Sequence, residues 1–477
     1  MKRRNFIQTS SVIMSGITVF PTSAYSLFKK NDKYISGRPP VSQRKFKSFA
    51  VEEKIKEVKA SIKNKELAWM FENCYPNTLD TTVNYKIING IPDTFVITGD
   101  INAMWLRDST AQVWPYISLI NEDDKLKLLI KGVINRQTKC ILIDPYANAF
   151  NYGKDGSHWE SDNTEMKPEL HERKWEIDSL CYPVRLAYNY WKLTGESDIF
   201  DSQWLLAAKL ILKTFKEQQR KESDGPYHFT RCTTKPTDTL SGNGYGNPVN
   251  PIGLICSSFR PSDDATFLSF LIPSNYFAIN TLKQISVIAN VIYKDIDLAN
   301  ETISLSKEIE DAIKKHAIQD HLIYGNILAY EIDGFGNKLF MDDANIPSLL
   351  SLPYLGVLNK DNELYQNTRN FILSKNNPWF FEGKFARGIG GPHVGKDMVW
   401  PMSIIMQALT SNNEQEIIYC INSLINTHAG TGFVHESFNV DNPNKYTRSW
   451  FAWANTLFGE LIVNIHKNYP EILKKIH

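Results

Sequence analysis

Residues 178–188 read Asp178-Ser-Leu-Cys-Tyr-Pro-Val-Arg-Leu-Ala-Tyr188, an acid followed at once by a strongly apolar run. The same order, a polar opener and then an apolar stretch, recurs at Asp108, Asp264, Asp343, Asp397 and Ser449. Each opener alone reads as a helix N-cap, whose side-chain oxygen satisfies an orphan N–H and whose charge suits the helix dipole. Six at intervals of 70, 86, 79, 54 and 52 residues leave room each time for a helix, a loop and a returning helix. Such quasi-regular spacing predicts repeated helical hairpins. The segments between are more polar. Glu122–Gln137 and Glu301–Lys315 are Lys-rich, and residues 200–216 place Trp204, Leu205, Ala208, Ile211, Leu212 and Phe215 on one helical face. Apolar inner helices inside amphipathic outer ones predict an all-α fold, an (α/α)6 barrel, with short β excursions in loops such as Thr94–Thr98 and Leu322–Ile332. Six polar helix starts would then surround one mouth.

Outward from this core, the 477 residues carry 53 Lys+Arg against 52 Asp+Glu, with 42% hydrophobic and 22% charged. That balance excludes a disordered chain, and the missing basic excess argues against nucleic-acid binding. Most of the 11 Trp, 21 Tyr and 25 Phe must be core, but an excess of Trp and Tyr also suits stacking surfaces for sugars or bases. Residues 1–25 run from Arg3-Arg4 through Asn5-Phe6-Ile7 and an uncharged stretch to Pro21 and small residues, the order of an export signal of twin-arginine type. Its removal would take formal charge from +1 to −2, since Lys2, Arg3 and Arg4 leave with it. The expected location is periplasmic, with no integral membrane segment afterwards. Residues 26–48 read as a basic, aperiodic linker, and 49–477 as one catalytic domain. The six cysteines are widely spaced with no CxxC, so buried single thiols are expected rather than a zinc site.

Four motifs can carry chemistry. Gly99–Ser109 combines Trp105, Arg107 and Asp108: an indole for the C–H face of a sugar, a donor fork and an acceptor for vicinal hydroxyls. A buried Arg–Asp pair beside a core Trp is the plainer reading. Trp175–Leu180 sets Glu176 and Asp178 at a helix start, as pocket acids or as a capping arrangement. Phe259–Ala265 places Asp263 and Asp264 beside Arg260, and like-charge proximity with burial would raise one carboxyl toward the range of a general acid. If Asp264 holds the N-cap register shared with Asp343, Asp263 is freer to project. Two solvated capping acids are the alternative. Thr431–Phe438 puts Glu436 between His435 and Ser437 in an apolar frame, able to activate a water or simply paired and buried. The Gly-rich stretch Phe385–Gly395 lacks the Lys-Ser/Thr of a phosphate loop and is expected to offer Arg387 and His393 to a pocket.

On Ala103–Val113, Glu176–Pro183, Phe259–Ala265 and His435–Phe438 the chain resembles glycoside hydrolase family 125, the bacterial exo-acting α-1,6-mannosidases. The resemblance runs from about residue 50 to the C-terminus. It implies an (α/α)6 barrel and inverting hydrolysis needing neither metal nor cofactor. By that resemblance the acid matches the pair Asp263–Asp264 and the base matches Glu436. Arg107 and Asp108 would hold the terminal mannose, with Trp105, Asp178, Arg260, Asp264, His393 and His435 around it. The expected partner is a mannose-containing oligosaccharide, bound by a monomer. An (α/α)6 glycosidase of other sugar or linkage specificity, or a non-catalytic periplasmic carbohydrate-binding protein, fits the same residues.

Overall fold

The structure, a computed structural model, describes residues 34–476; the export-signal reading of residues 1–25 lies outside them. In chain order the helices are α1 (Phe49–Ser61), α2 (Lys65–Cys74), α3 (Asn77–Thr81), α4 (Leu106–Val113), α5 (Asp124–Ile143), α6 (Ile177–Thr194) and α7 (Ser202–Glu217). They continue with α8 (Ile272–Ile288), α9 (Ile296–His316), α10 (Glu363–Ile372), α11 (Pro401–Leu409), α12 (Glu414–Thr427), α13 (Ala452–Asn468) and α14 (Pro470–Lys475). Among these, α4 packs on α6, α6 on α8, α11 on α13, and α13 returns to α4. The returning helices α2, α5, α7, α9, α10 and α12 lie outside them, and the whole is an (α/α)6 barrel.

Burial follows the division expected from sequence. Every residue of α4 is buried, as are all but the last of α11, whereas α7 buries Trp204, Ala207, Ala208, Ile211, Leu212, Thr214 and Phe215 and exposes its Lys-bearing face.

One inner place has no α-helix. Residues 343–356 form successive turns, because Pro347 and Pro353 lack the N–H and have the fixed φ that interrupt a helical ladder. The segment still packs inward: Tyr182 on α6 donates to Ile346 O at 3.1 Å, and Asn280 on α8 donates to Leu355 O at 2.9 Å. Its start is held by buried Asp342, which accepts from the N–H groups of Leu349 and Leu350 at 2.8 and 3.0 Å. The helix expected after Asp343 is thus replaced by a carboxylate-pinned turn.

The N-cap expectation is also corrected. Outer helices carry side-chain caps: Ser48, Asn64, Asp123, Asp201, Asp295, Asn362 and Asn413 each accept from a first-turn N–H. Inner helices α4, α6, α8, α11 and α13 have none, being preceded by Trp105, Glu176, Leu271, Trp400 and Phe451. Their entries are held by backbone pairing instead. Met104–Trp105 pairs with Ala149–Phe150, Phe270–Leu271 with Glu331–Ile332, and Met398–Val399 with Phe438–Asn439. Asp108 and Asp178 lie inside their helices, while Asp264, Asp397 and Ser449 precede theirs in loops.

Other expectations shift with the packing. Residues 36–48, read as linker, belong to the folded unit: Arg38 is bound to Asp80 at 2.7 Å and to Glu52, and Phe46 N donates to Leu79 O at 2.9 Å. Five cysteines are buried thiols as expected, and Cys232 is exposed. No helix among the described residues is long and apolar enough to cross a membrane.

In the barrel interior Arg185 of α6 lies 3.7 Å above the Trp114 ring and 4.8 Å from that of Tyr354. The Tyr354 hydroxyl donates to Glu460 of α13 at 3.0 Å. Burial pushes the Glu460 carboxyl up to about 7, with Arg185 and the tyrosine bond opposing. A carboxyl raised in the folded state adds stability that is full below its unfolded pKa and is lost as pH rises through about 7. Glu460→Gln should therefore melt above the wild type at pH 8, by about 2–4 °C, with the two converging at pH 5. Thermal melts across that range would refute the assignment by running parallel.

Candidate active site

The inner helix N-termini and their loops enclose a cavity of about 520 Å³, within the range of small-molecule sites. Its wall draws on distant parts of the chain. Trp105, Arg107 and Asp108 come from the entry to α4, Lys174 from the entry to α6, Asp263 from the loop before α8, and His393, Glu436 and Arg448 from the C-terminal third.

The first and last of these loops are tied together by main chain. Asp100 N donates to Trp450 O at 3.3 Å, and Ala452 N to Thr98 O at 3.0 Å. Gly99 lies at φ 129°, and a Cβ there would sit 2.4 Å from Trp450 O, so this close approach requires glycine. It sets Asp100 against Arg448, whose Nε donates to Asp100 Oδ1 at 2.9 Å while Nη1 reaches Glu436 Oε1 at 3.4 Å.

The opposite carboxylate has its own arginine. Arg107, 3% exposed, donates through Nη2 to Asp263 Oδ1 and through Nη1 to Asp178 Oδ2, both at 3.2 Å, and Nη1 also bonds Glu176. A guanidinium stays charged and presents a rigid fork, so it fixes the acids in place. Burial pushes the Asp108 carboxyl up to about 6; Arg107 opposes this and Asp263 adds to it.

Backbone geometry separates Asp263 from Asp264. Asp263 N donates to Arg260 O at 2.9 Å, closing a turn, and Asp263 itself lies at φ 65°, a strained value for a non-glycine residue. Lys174 Nζ holds the Asp263 carbonyl at 2.9 Å. The Asp263 side chain lies on the cavity wall, whereas Asp264 is buried behind it against His393 Nδ1 at 3.2 Å and Lys235 Nζ at 3.5 Å. Burial works against a charged His393, yet the bond to Asp264 outweighs it and raises the imidazole above its ordinary value. The register argument that freed Asp263 relied on Asp264 as a cap. Asp264 caps nothing, and the turn does the separating.

Of the remaining expected site residues, Trp105 and His393 reach the cavity, and Trp105 packs edge-on to His171. Asp178 is fully buried behind Arg107. Arg260 is turned away: its Nε donates to Glu331 at 2.6 Å, and Glu331 in turn accepts from Phe267 N and Leu268 N. His435 stacks on Tyr446 with ring centroids 3.8 Å apart, and burial pushes its imidazole down to about 4. It supports the Glu436 segment and does not line the cavity. Arg387 lies over Tyr419, away from the wall.

Sequence reasoning missed a second wall: His158, Trp159, His171, Glu172, Lys174, Arg231 and Asp238. Arg231 lies 3.6 Å over Trp159 and is held by Asp162, Glu172 and Asp238. A Trp in the polar, Gly-bearing stretch 152–163 was a readable signal; Arg231 and Lys174 had none, since Asp162 and Glu172 for the first, and Asp238 and Asp263 for the second, lie far away in sequence. Arg448 was missed for the same reason. Among the described residues no group of three or more His, Cys, Asp or Glu is placed to hold a metal ion.

The arrangement offers two carboxylates on one cavity, each beside its own arginine, on a wall that also carries aromatic rings and hydrogen-bonding groups, which is the equipment of glycoside hydrolysis. Known proteins agree. Residues 64–463 match the model of the metal-independent α-mannosidases, glycoside hydrolase family 125. The meiotically up-regulated gene 157 protein of Schizosaccharomyces pombe is 42% identical over 457 residues, 92% of this chain and 90% of that protein. A metal-independent α-mannosidase of Streptococcus pneumoniae, solved in a non-productive complex with α-1,6-mannobiose, is 42% identical, with a TM-score of 0.85 over 89% of this chain and 100% of that one. The resemblance carried by the four motifs thus extends over the whole barrel, and the chain belongs to glycoside hydrolase family 125, the metal-independent α-mannosidases.

Proposed function

We propose that this α-mannosidase is exo-acting and inverting, removing terminal non-reducing α-1,6-linked mannose from N-glycan or mannan oligosaccharides. The observation that carries the reading is the placing of Asp263 and Glu436 on one cavity, each beside its own arginine. The Streptococcus relative bound to α-1,6-mannobiose supports the linkage.

In this mechanism Asp263 protonates the leaving glycosidic oxygen. Glu436 takes a proton from a water that attacks the anomeric carbon from the other face, and the carbon inverts in one displacement. Arg107 and Asp108 hold hydroxyls of the terminal mannose, and Trp105 offers its indole to the ring. Arg448, held by Asp100, aims the Glu436 carboxylate.

Asp263→Asn and Glu436→Gln should each lower kcat by about 10²–10⁴-fold while mannose binding persists in calorimetry. A pure binding protein would show no turnover to lose. Proton NMR of α-1,6-mannobiose cleavage should show β-mannose first; α-mannose first, or no cleavage, overturns the proposal. Arg448→Met should lower kcat about 10–100-fold with KM nearly unchanged, since it removes the charge beside the base. A rise in KM alone would make Arg448 a binding group instead.

A further inference from the structure

At the cavity wall four carboxyl groups surround one guanidinium, Asp108 and Asp263 on the wall and Glu176 and Asp178 behind it. Arg107 contacts Glu176, Asp178 and Asp263 through its two terminal nitrogens, and its Nε lies 3.6 Å from Asp108 Oδ2. The further cations acting on the cluster are Lys174, committed to Asp238 at 2.6 Å and to the Asp263 carbonyl, His393, committed to Asp264, and Arg448, which acts on Asp108 but is committed to Asp100 and Glu436. With every acid ionised the cluster would carry a net negative charge, with Glu176 and Asp178 wholly buried, which favours a proton on one of the buried acids.

Glu176 is the best placed to hold one. Its residue is fully buried, Ser179 donates to Oε2 at 2.9 Å, and Oε1 has no hydrogen-bond donor around it. An oxygen with no donor is poorly placed as a carboxylate and well placed as part of a carboxylic acid, whose hydroxyl donates. The Glu176 carboxyl lies within hydrogen-bond reach of Asp263. Burial raises Glu176 well above the ordinary range, with Asp178 and Asp263 adding to it against Arg107. Burial also acts on Asp263, yet Arg107 and Lys174 outweigh it and bring that carboxyl down to about 2. The unpartnered Oε1 and these electrostatics together favour the proton on Glu176 and the charge on Asp263.

We propose that Glu176 is the positioning residue that holds the catalytic proton and passes it to Asp263. This rests on the assignment of Asp263 as general acid. The Glu176 hydroxyl proton moves to the Asp263 carboxylate, and Asp263 delivers it to the glycosidic oxygen as the C1–O bond breaks. Water forms the new C1–O bond and gives its proton to Glu436. Glu436 then loses that proton to solvent, and one proton from solvent restores Glu176, so the cycle balances.

The test compares α-1,6-mannobiose, whose leaving oxygen needs a proton, with 2,4-dinitrophenyl α-mannoside, whose leaving group does not. Glu176→Gln should lose at least tenfold more kcat on the disaccharide than on the aryl glycoside. Its basic pH limb on the disaccharide should move to lower pH, because Asp263 alone holds a proton only weakly beside Arg107 and Lys174. Glu176→Asp, which keeps a proton, should restore part of both effects. Residual aryl-mannosidase activity reports that the variants are folded. Equal losses on the two substrates with an unmoved pH limb would make Glu176 structural and overturn the proposal; so would full activity on both. Wild-type enzyme that cleaves the aryl mannoside but not mannobiose overturns the linkage reading alone, and the comparison is then run on whichever mannobiose it does cleave.

Discussion

The guanidinium of Arg107 is the fixed charge around which the catalytic end is built. Its partners come from three stretches: Asp108 from its own helix, Glu176 and Asp178 from the start of α6, and Asp263 from the loop before α8. Only a residue that cannot deprotonate, with five donors in a rigid plane, can hold so many acids together without water. Removing it would leave buried carboxylates uncompensated, a far larger cost than the loss of any single bond. It thereby fixes the register of two inner helices and the position of Asp263 at once.

The helix ends show how those acids come to be available. An outer helix begins at the rim, where the residue just before it can cap it locally; Asp123, Asp201 and Asp295 do so. An inner helix begins at the mouth, and there short antiparallel pairs hold the entering chain. Asp108 and Asp178, released from capping, turn to Arg107 instead. The same pattern of acid then apolar run thus serves two purposes, and the choice between them is made by what faces the helix end.

Two residues of the same mouth carry strained backbone. Asp263 and Arg448 on the cavity wall hold φ values of 65° and 39°, unusual for residues with a Cβ. Asp263 is held by Lys174 on its carbonyl and Arg107 on its carboxylate, and Arg448 by Asp100. Each strained residue is over-determined by its partners, the condition under which strain persists at functional sites.

Much of this protein was legible in order along the chain. The six polar-to-apolar openers announced the barrel, and the four motifs containing Asp108, Glu176, Asp263 and Glu436 announced the family, because hydrophobic periodicity and short motifs are local. The fourth inner place escaped, although Pro347 and Pro353 were there to be read as helix breakers. Which acids line the cavity was not local. Asp178, Arg260 and His435 stand beside the motifs yet face Arg107, Glu331 and Tyr446. Arg448, Lys174 and Arg231 carry no motif yet stand on the wall. The sequence by itself determined the helical repeat and the residues available for chemistry. Only the tertiary structure decided which side chains meet, since a buried charge takes its partner from whatever segment the fold brings within reach of it.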